Sequence, residues 1–325
     1  KGVVKSAPWG LMFRVCFGAL TSIVDLLTDI YVTITFFKDK KMGYFQASLA
    51  SLTVSIVIQL YIVYVQNKEI GWRRVLQEFL PVLTGLKPAF DAYDIAKGKK
   101  QEAGESVDPL MELTIMKGIE VLAESIPGTI IQLRAISNTF CDGIDQGAWI
   151  SLAVSVLAVG YNSATMSYDW DTDPEKRLHS PDFYGYVPAN PKRRTVVFLS
   201  LTFLTAGNLL IRCMTFILLR RYALFYIGVD LGLYLLTKLM RGDFWHWMQV
   251  DGKSAFFMSL LSRVGCKIIA DFTSLVQLRH PNEVGGIYWT VAFGSTMVCL
   301  PISMYINALS GQGDPQPFNY KNTSS

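Results

Sequence analysis

Charge is scarce in this 325-residue chain. Lys, Arg, Asp and Glu make up 17% of it, against roughly 25% in a soluble domain. The scarcity is uneven, with charges in short bursts between long stretches that have almost none. Hydrophobic residues reach 51% and mean hydropathy is +0.30. That composition excludes a disordered chain, which is polar. It also excludes a nucleic-acid-binding domain, because the formal net charge is only +4 and no concentrated basic face is present. Histidine is rare: His179, His246 and His280 lie in or beside loops, no HExxH occurs, and no metal site or cofactor is expected. Cysteine is sparse and scattered (Cys16, Cys141, Cys213, Cys266, Cys299), with no CxxC pair, so a disulfide scaffold is excluded. Four of the five lie in apolar stretches, where a thiol behaves as a small hydrophobe. No GxxxxGK[ST] is present for a nucleotide. The chain begins at Lys1 rather than Met, which points to residues upstream and leaves a signal peptide unjudged.

What is present is apolar length. A bilayer core of ~30 Å needs about 20 helical residues. Apolar stretches run over 11–37, 44–65, 148–168, 196–219, 222–240 and 286–309. The stretch 75–96 is broken by Glu78, Pro81, Lys87, Pro88, Asp91 and Asp94, and reads as a partly inserted hairpin. The stretches 108–136 and 253–278 are helical in period but carry charge. The fold class expected is all-α: a polytopic transmembrane helical bundle of about eight membrane-inserted segments plus partial hairpins. One integral membrane domain covers 1–325. It divides into an N-terminal half (11–168), a polar loop (169–194), a C-terminal half (195–309) and a polar tail (310–325).

Orientation follows from Lys and Arg in the short loops. With a cytosolic N-terminus and a hairpin that does not cross, the inside loops hold 13 of these residues and the outside loops 5. If 253–278 crosses, the tail is cytosolic; if it is another partial hairpin, the tail is outside. The chain is expected in the plasma membrane or an organellar membrane.

Ten ionisable residues fall deep inside the apolar stretches: Asp25, Asp29, Lys117, Glu120, Glu124, Arg212, Asp230, Arg263, Lys267 and Asp271. Each costs roughly 2.5–3.5 kcal/mol at a helix centre, on the order of 30 kcal/mol together. They must therefore be paired, hydrated or both. Spacing groups them. Asp25 and Asp29 share a helix face, and Glu112, Glu120 and Glu124 share another with Lys117 beside Glu120. Arg263, Lys267 and Asp271 repeat the four-residue step, and Lys87, Asp91 and Asp94 form a further stripe. Such stripes either clamp a bundle or line a water-accessible path.

A set of motifs in order carries a family resemblance. VDLLTDIYVTITFF and SIVIQLYIVYVQ come first, then EFLPVLTGLKPAFDAYDIAKG, KGIEVLAESIPG, NLLIRCMTFIL and RGDFWHW. Over roughly residues 20 to 305 the chain resembles the XK-related family of membrane proteins, whose best-known members are phospholipid scramblases. The resemblance implies two similar helical halves and a lipid-headgroup path along charged residues. Asp25 and Asp29 match the acidic pair of the first helix. Glu112, Lys117, Glu120 and Glu124 match the charged face of the fourth stretch, and Arg212 matches the arginine of the sixth. In the resembled fold Glu120 and Arg212 lie at similar depth and are expected to pair. Two departures stand out. The family's Pro-Gln is Pro127-Gly128 here, and Asp173 and Asp314 are each followed by proline, a poor context for the caspase cleavage that activates several members.

The expected function is phospholipid movement between leaflets without ATP. Lys117 and Arg212 suit a lipid phosphate, and Asp25, Asp29, Glu120 and Glu124 suit its ammonium. The secondary polar stripe comprises Lys87, Asp91, Asp94, Asp230, Arg263, Lys267 and Asp271. Partners are phospholipids and a membrane-protein partner or complex. A channel or secondary transporter, with broken helices at the midplane, and a structural subunit of a larger assembly are the alternatives. An enzyme fits least, because the histidines are peripheral.

Overall fold

The structure is a computed structural model that describes residues 8–97, 109–139, 146–172, 178, 184–185, 187–188, 190–219, 222–241, 253–273 and 286–310. The three histidines, Cys141, Asp173, much of the 173–189 part of the polar loop and the tail beyond Ser310 lie outside the described residues.

Every regular element among the described residues is helical. In order they are α1 (Pro8–Lys38), α2 (Met42–Asn67), α3 (Trp72–Leu83), α4 (Lys87–Ala96), α5 (Pro109–Glu120), a π-helical turn (Val121–Ser125) and α6 (Ile126–Thr139). Then come α7 (Gln146–Thr172), α8 (Pro191–Leu219), α9 (Ala223–Arg241), α10 (Lys253–Thr273) and α11 (Gly286–Ser310). Among the described residues five helices are long and apolar enough to cross a membrane: α1, α2, α7, α8 and α9. The chain is a membrane-embedded helical protein.

The bundle is centred on α7, which packs against α1 on one side and α8 on the other. Lipid tails are as apolar as leucine, so helices in a membrane associate through close backbone approach and hydrogen bonds. Helix α7 is built for that, with Ser151, Ser155, Ala158, Gly160, Asn162, Ser163, Ala164 and Ser167 all buried. By contrast α2 and α9 turn rows of leucine, valine, tyrosine and phenylalanine outward. The closest approach is at Gly160, where an added Cβ would sit 2.6 Å from the carbonyl oxygen of Thr202 on α8. Gly160→Val should therefore force α7 and α8 apart. An overpacking loss of about 1–3 kcal/mol is expected, read as a lower melting temperature in detergent. An unchanged melt would mean the two helices do not meet there.

The hairpin expected over 75–96 is present. Its turn lies at Thr84–Leu86, between α3 and α4. Gly85 has φ +71, and a Cβ there would overlap the side chain of Leu26, midway along α1. Helix α4 lies along the N-terminal part of α1, with Ala89 and Ala92 packed on Val15 and Ala19. A face of Leu76, Leu80, Leu83, Leu86 and Phe90 is exposed.

Helix α10 runs antiparallel to α5, with Gly265 against Leu122 and Ile269 against Gly118. Its described part runs to Thr273, and 274–278 lie outside the described residues. Asn208 on α8 donates to two of its last carbonyl oxygens, of Asp271 at 2.7 Å and Phe272 at 3.2 Å. Asn208 lies well inside α8, so Asp271 and Phe272 lie alongside the middle of that neighbour.

Candidate functional site

One face of α1 carries Arg14, Gly18, Ser22, Asp25, Asp29 and Thr33, at steps of three and four residues that keep them in line. This face meets a second polar line on α7: Ser151, Ser155, Asn162 and Asp169. The helices are antiparallel, so the rungs run in reverse order. Arg14 pairs with Asp169, its Nε donating at 3.1 Å, and its guanidinium lies 4.1 Å from the Tyr168 ring centre. Asn162 donates to Ser22 at 3.2 Å. Ser155 donates to Asp25. Asp29 accepts from Gln132 of α6 at 2.8 Å and from Ser151 and Ser155 at 3.4 Å each. Asp25 is 2% exposed and Asp29 4%. The acidic pair that spacing placed on one face does share one, and it points into the bundle.

The α5–α6 segment supplies the next charges. Lys117 donates to Ser22 and pairs with Glu120 at 3.3 Å. Glu124 accepts from Ser55 of α2 at 3.0 Å, and Gln59 donates to Ser55 at 3.1 Å. The expectation that Glu112, Glu120 and Glu124 act as one face is corrected by the path of this helix. Pro127 has no N–H, so it cannot bond the carbonyl of Ala123, and its ring crowds that carbonyl. The helix answers with the π-turn, in which the Ile126 N–H bonds the Val121 oxygen. The freed Ala123 oxygen accepts instead from Ser51 of α2 at 2.6 Å. A π-turn holds more residues per turn and shifts the phase of the residues beyond it. Glu124 therefore faces α2 while Glu120 stays with Lys117; Glu112, two turns earlier on α5, is drawn into a separate cluster by Lys87.

That cluster is centred on Lys87 at the start of α4. Its ammonium lies 2.7 Å from Asp91, 2.9 Å from Glu78 and 3.2 Å from Glu112, and Arg74 meets Glu78 at 3.0 Å. Lys87 is 3% exposed. Asp94 is half-buried on the same helix. So the third stripe does not line the α1–α7 seam; it fastens the hairpin to α5.

The C-terminal residues form a third group. Lys267 pairs with both Asp230 and Asp271. Arg263 and Lys267 are buried, and the Asp230 side chain is 45% exposed at the bundle surface. Arg212 is buried and donates to the Tyr226 hydroxyl at 3.1 Å, while its Nε has no hydrogen-bond partner among the described residues. The expected Glu120–Arg212 pair does not form: Lys117, three residues before Glu120 on the same helix, takes the carboxylate.

The seam thus gathers four carboxylates (Asp25, Asp29, Glu120, Glu124) around one ammonium, Lys117. Its excess negative charge suits a cationic group, and its hydroxyls and amides suit exchange of hydrogen bonds. Among the described residues no group of three His, Cys, Asp or Glu side chains could hold a metal ion. Sequence reading missed the partners that complete the seam: Arg14, Ser22, Ser151, Ser155, Asn162 and Asp169. One signal was available, the three- and four-residue recurrence of serine and asparagine along an otherwise apolar 148–168 stretch. Compared with models of known protein families the chain matches none, and no curated protein matches it in sequence.

Proposed function

We propose that this protein moves phospholipids between leaflets without ATP, in the manner of the XK-related scramblases its motifs resemble. The observation that carries the reading is the buried seam at mid-length of α1. Charges so placed are costly, and in membrane proteins they mark transport pathways. Asp25, Asp29, Glu120 and Glu124 take the lipid ammonium in turn, and Lys117 its phosphate, while the acyl tails stay in lipid. Arg212 offers a further phosphate contact. About eight segments enter the membrane in two related halves, with the N-terminus cytosolic and a membrane-protein partner in the native assembly. A cysteine placed within 173–183 of a cysteine-free version should then label only after cells are permeabilised. Labelling in intact cells would reverse the orientation.

The deciding experiment is purified protein in vesicles that carry fluorescent lipid in both leaflets. An outer quencher should bleach the inner-leaflet lipid too, and only the outer leaflet in protein-free vesicles. The acid excess of the seam favours one second reading, a cation channel or secondary transporter. Cation flux in the same vesicles without lipid exchange would select it. Neither activity would leave the structural-subunit reading.

A further inference from the structure

A cavity of about 40 Å³ lies between α1, α4, α5 and α7. Arg14 and Asp169 sit at one end, Lys117 and Asn162 at the other, and Leu113 and Pro88 form apolar walls. It is continuous with the seam, because Lys117 and Asn162 both bond Ser22. It lies where α1 begins and α7 ends. The Arg14–Asp169 pair is mostly buried, at 12% and 10% side-chain exposure. Such a pair is held by its partner and its surroundings rather than by water, so losing one member exposes the other to a new ligand.

We propose that this cavity is a phosphodiester-headgroup subsite, at which Arg14 and Lys117 take the lipid phosphate and Asp169 takes the ammonium. The internal ion pair is the charge complement of a zwitterionic headgroup, so each half of the lipid replaces one half of the pair. At about 40 Å³ the cavity has room for waters but not for a headgroup. Entry therefore requires the pair to part, which ties headgroup binding to opening of this end of the seam. The wall at Pro88 belongs to the hairpin, so the same opening involves α4. This deepens and rests on the lipid-transport reading, and a binding measurement lets the two fail separately.

The test uses detergent-purified protein and dihexanoyl phosphatidylcholine below its micelle-forming concentration. Glycerophosphocholine and inorganic phosphate serve as the tail-free and free-anion probes. The parent should bind the lipid, and both other probes more weakly. Arg14→Met should weaken lipid binding about tenfold or more, the loss of one charge-assisted hydrogen bond. Leu113→Trp should do the same by filling the cavity with both charges in place, which covers the case of a misfolded Arg14 variant. Asp169→Asn removes the carboxylate that competes for Arg14, so dihexanoyl phosphatidylglycerol should bind it more tightly than the parent. Losses of equal size at Arg14 and Asp169 would make the pair purely structural and overturn the subsite. Phosphate binding as tight as lipid would assign the cavity to a free anion and overturn it equally. Lipid exchange in vesicles without this Arg14-dependent binding would end the subsite and leave the transport reading. Binding without exchange would do the reverse.

Discussion

Replacing Lys87 by methionine should be the most destabilising single substitution in this protein. The side chain keeps its length and loses its charge. Asp91, Glu78 and Glu112 are then left facing one another, with only Arg74 beside Glu78. Removing one partner of a buried ion pair costs about 3–5 kcal/mol, because the other charge stays buried without compensation. Here three carboxylates share the loss. The apolar contact of α4 with α1 is small, through Ala89, Ala92, Val15 and Ala19. The hairpin should therefore detach before the rest of the bundle melts. Limited proteolysis should cut near the Thr84–Leu86 turn in Lys87→Met and not in the parent. Adding Asp91→Asn and Glu112→Gln should recover part of the lost thermal stability, since the repulsion goes with the charges. A Lys87→Met protein with parental melting and protease resistance would mean the cluster is hydrated and contributes little.

The second large effect is on transport. Asp25→Asn with Asp29→Asn keeps the size of both side chains and one acceptor oxygen on each. Ser155, Ser151 and Gln132 can go on donating to those oxygens. A neutral amide at this depth also costs less than a carboxylate. The double variant should therefore fold and melt close to the parent. It lacks two of the four carboxylates of the seam, and with them the attraction for a lipid ammonium. Leaflet exchange of phosphatidylcholine should slow by at least about tenfold, the effect of 1.4 kcal/mol on a barrier. Exchange of phosphatidylglycerol, which has no ammonium to lose, should slow less. If the seam only clamps helices, the order reverses: yield and melting temperature fall first, and surviving protein exchanges lipid normally. Unchanged exchange at matched incorporation would take both aspartates off the path.

Some of this was legible along the chain and some was not. Helix positions follow from local facts, namely apolar length and the charge bursts at Lys38–Lys41 and Lys68–Arg74, so α1, α2, α7, α8 and α9 lie within a few residues of the stretches read from sequence. The broken character of 75–96 was equally local, because Pro81, Gly85 and Pro88 interrupt it. The shared face of Asp25 and Asp29 follows from a four-residue step within one unbroken helix. The same step misled from Glu120 to Glu124, because the π-turn before Pro127 changes the number of residues per turn.

Partners were a different matter. Four-residue spacing gives a direction around a helix, but the group that answers a charge sits on another helix, at a rotation and height the spacing does not contain. Asp169 reaches Arg14 across 155 residues, Ser155 reaches Asp25 across 130, and Asn208 reaches the Asp271 carbonyl of α10 across 63. Lys117 rather than Arg212 received Glu120, because a neighbour on the same helix was already in reach. The sequence by itself determined which segments are helical, which are apolar and that buried charge must be answered. Only the packing of helix on helix decided which charges meet, since an ion pair needs its two ends within a few ångströms and that distance is set by how the helices lie against each other.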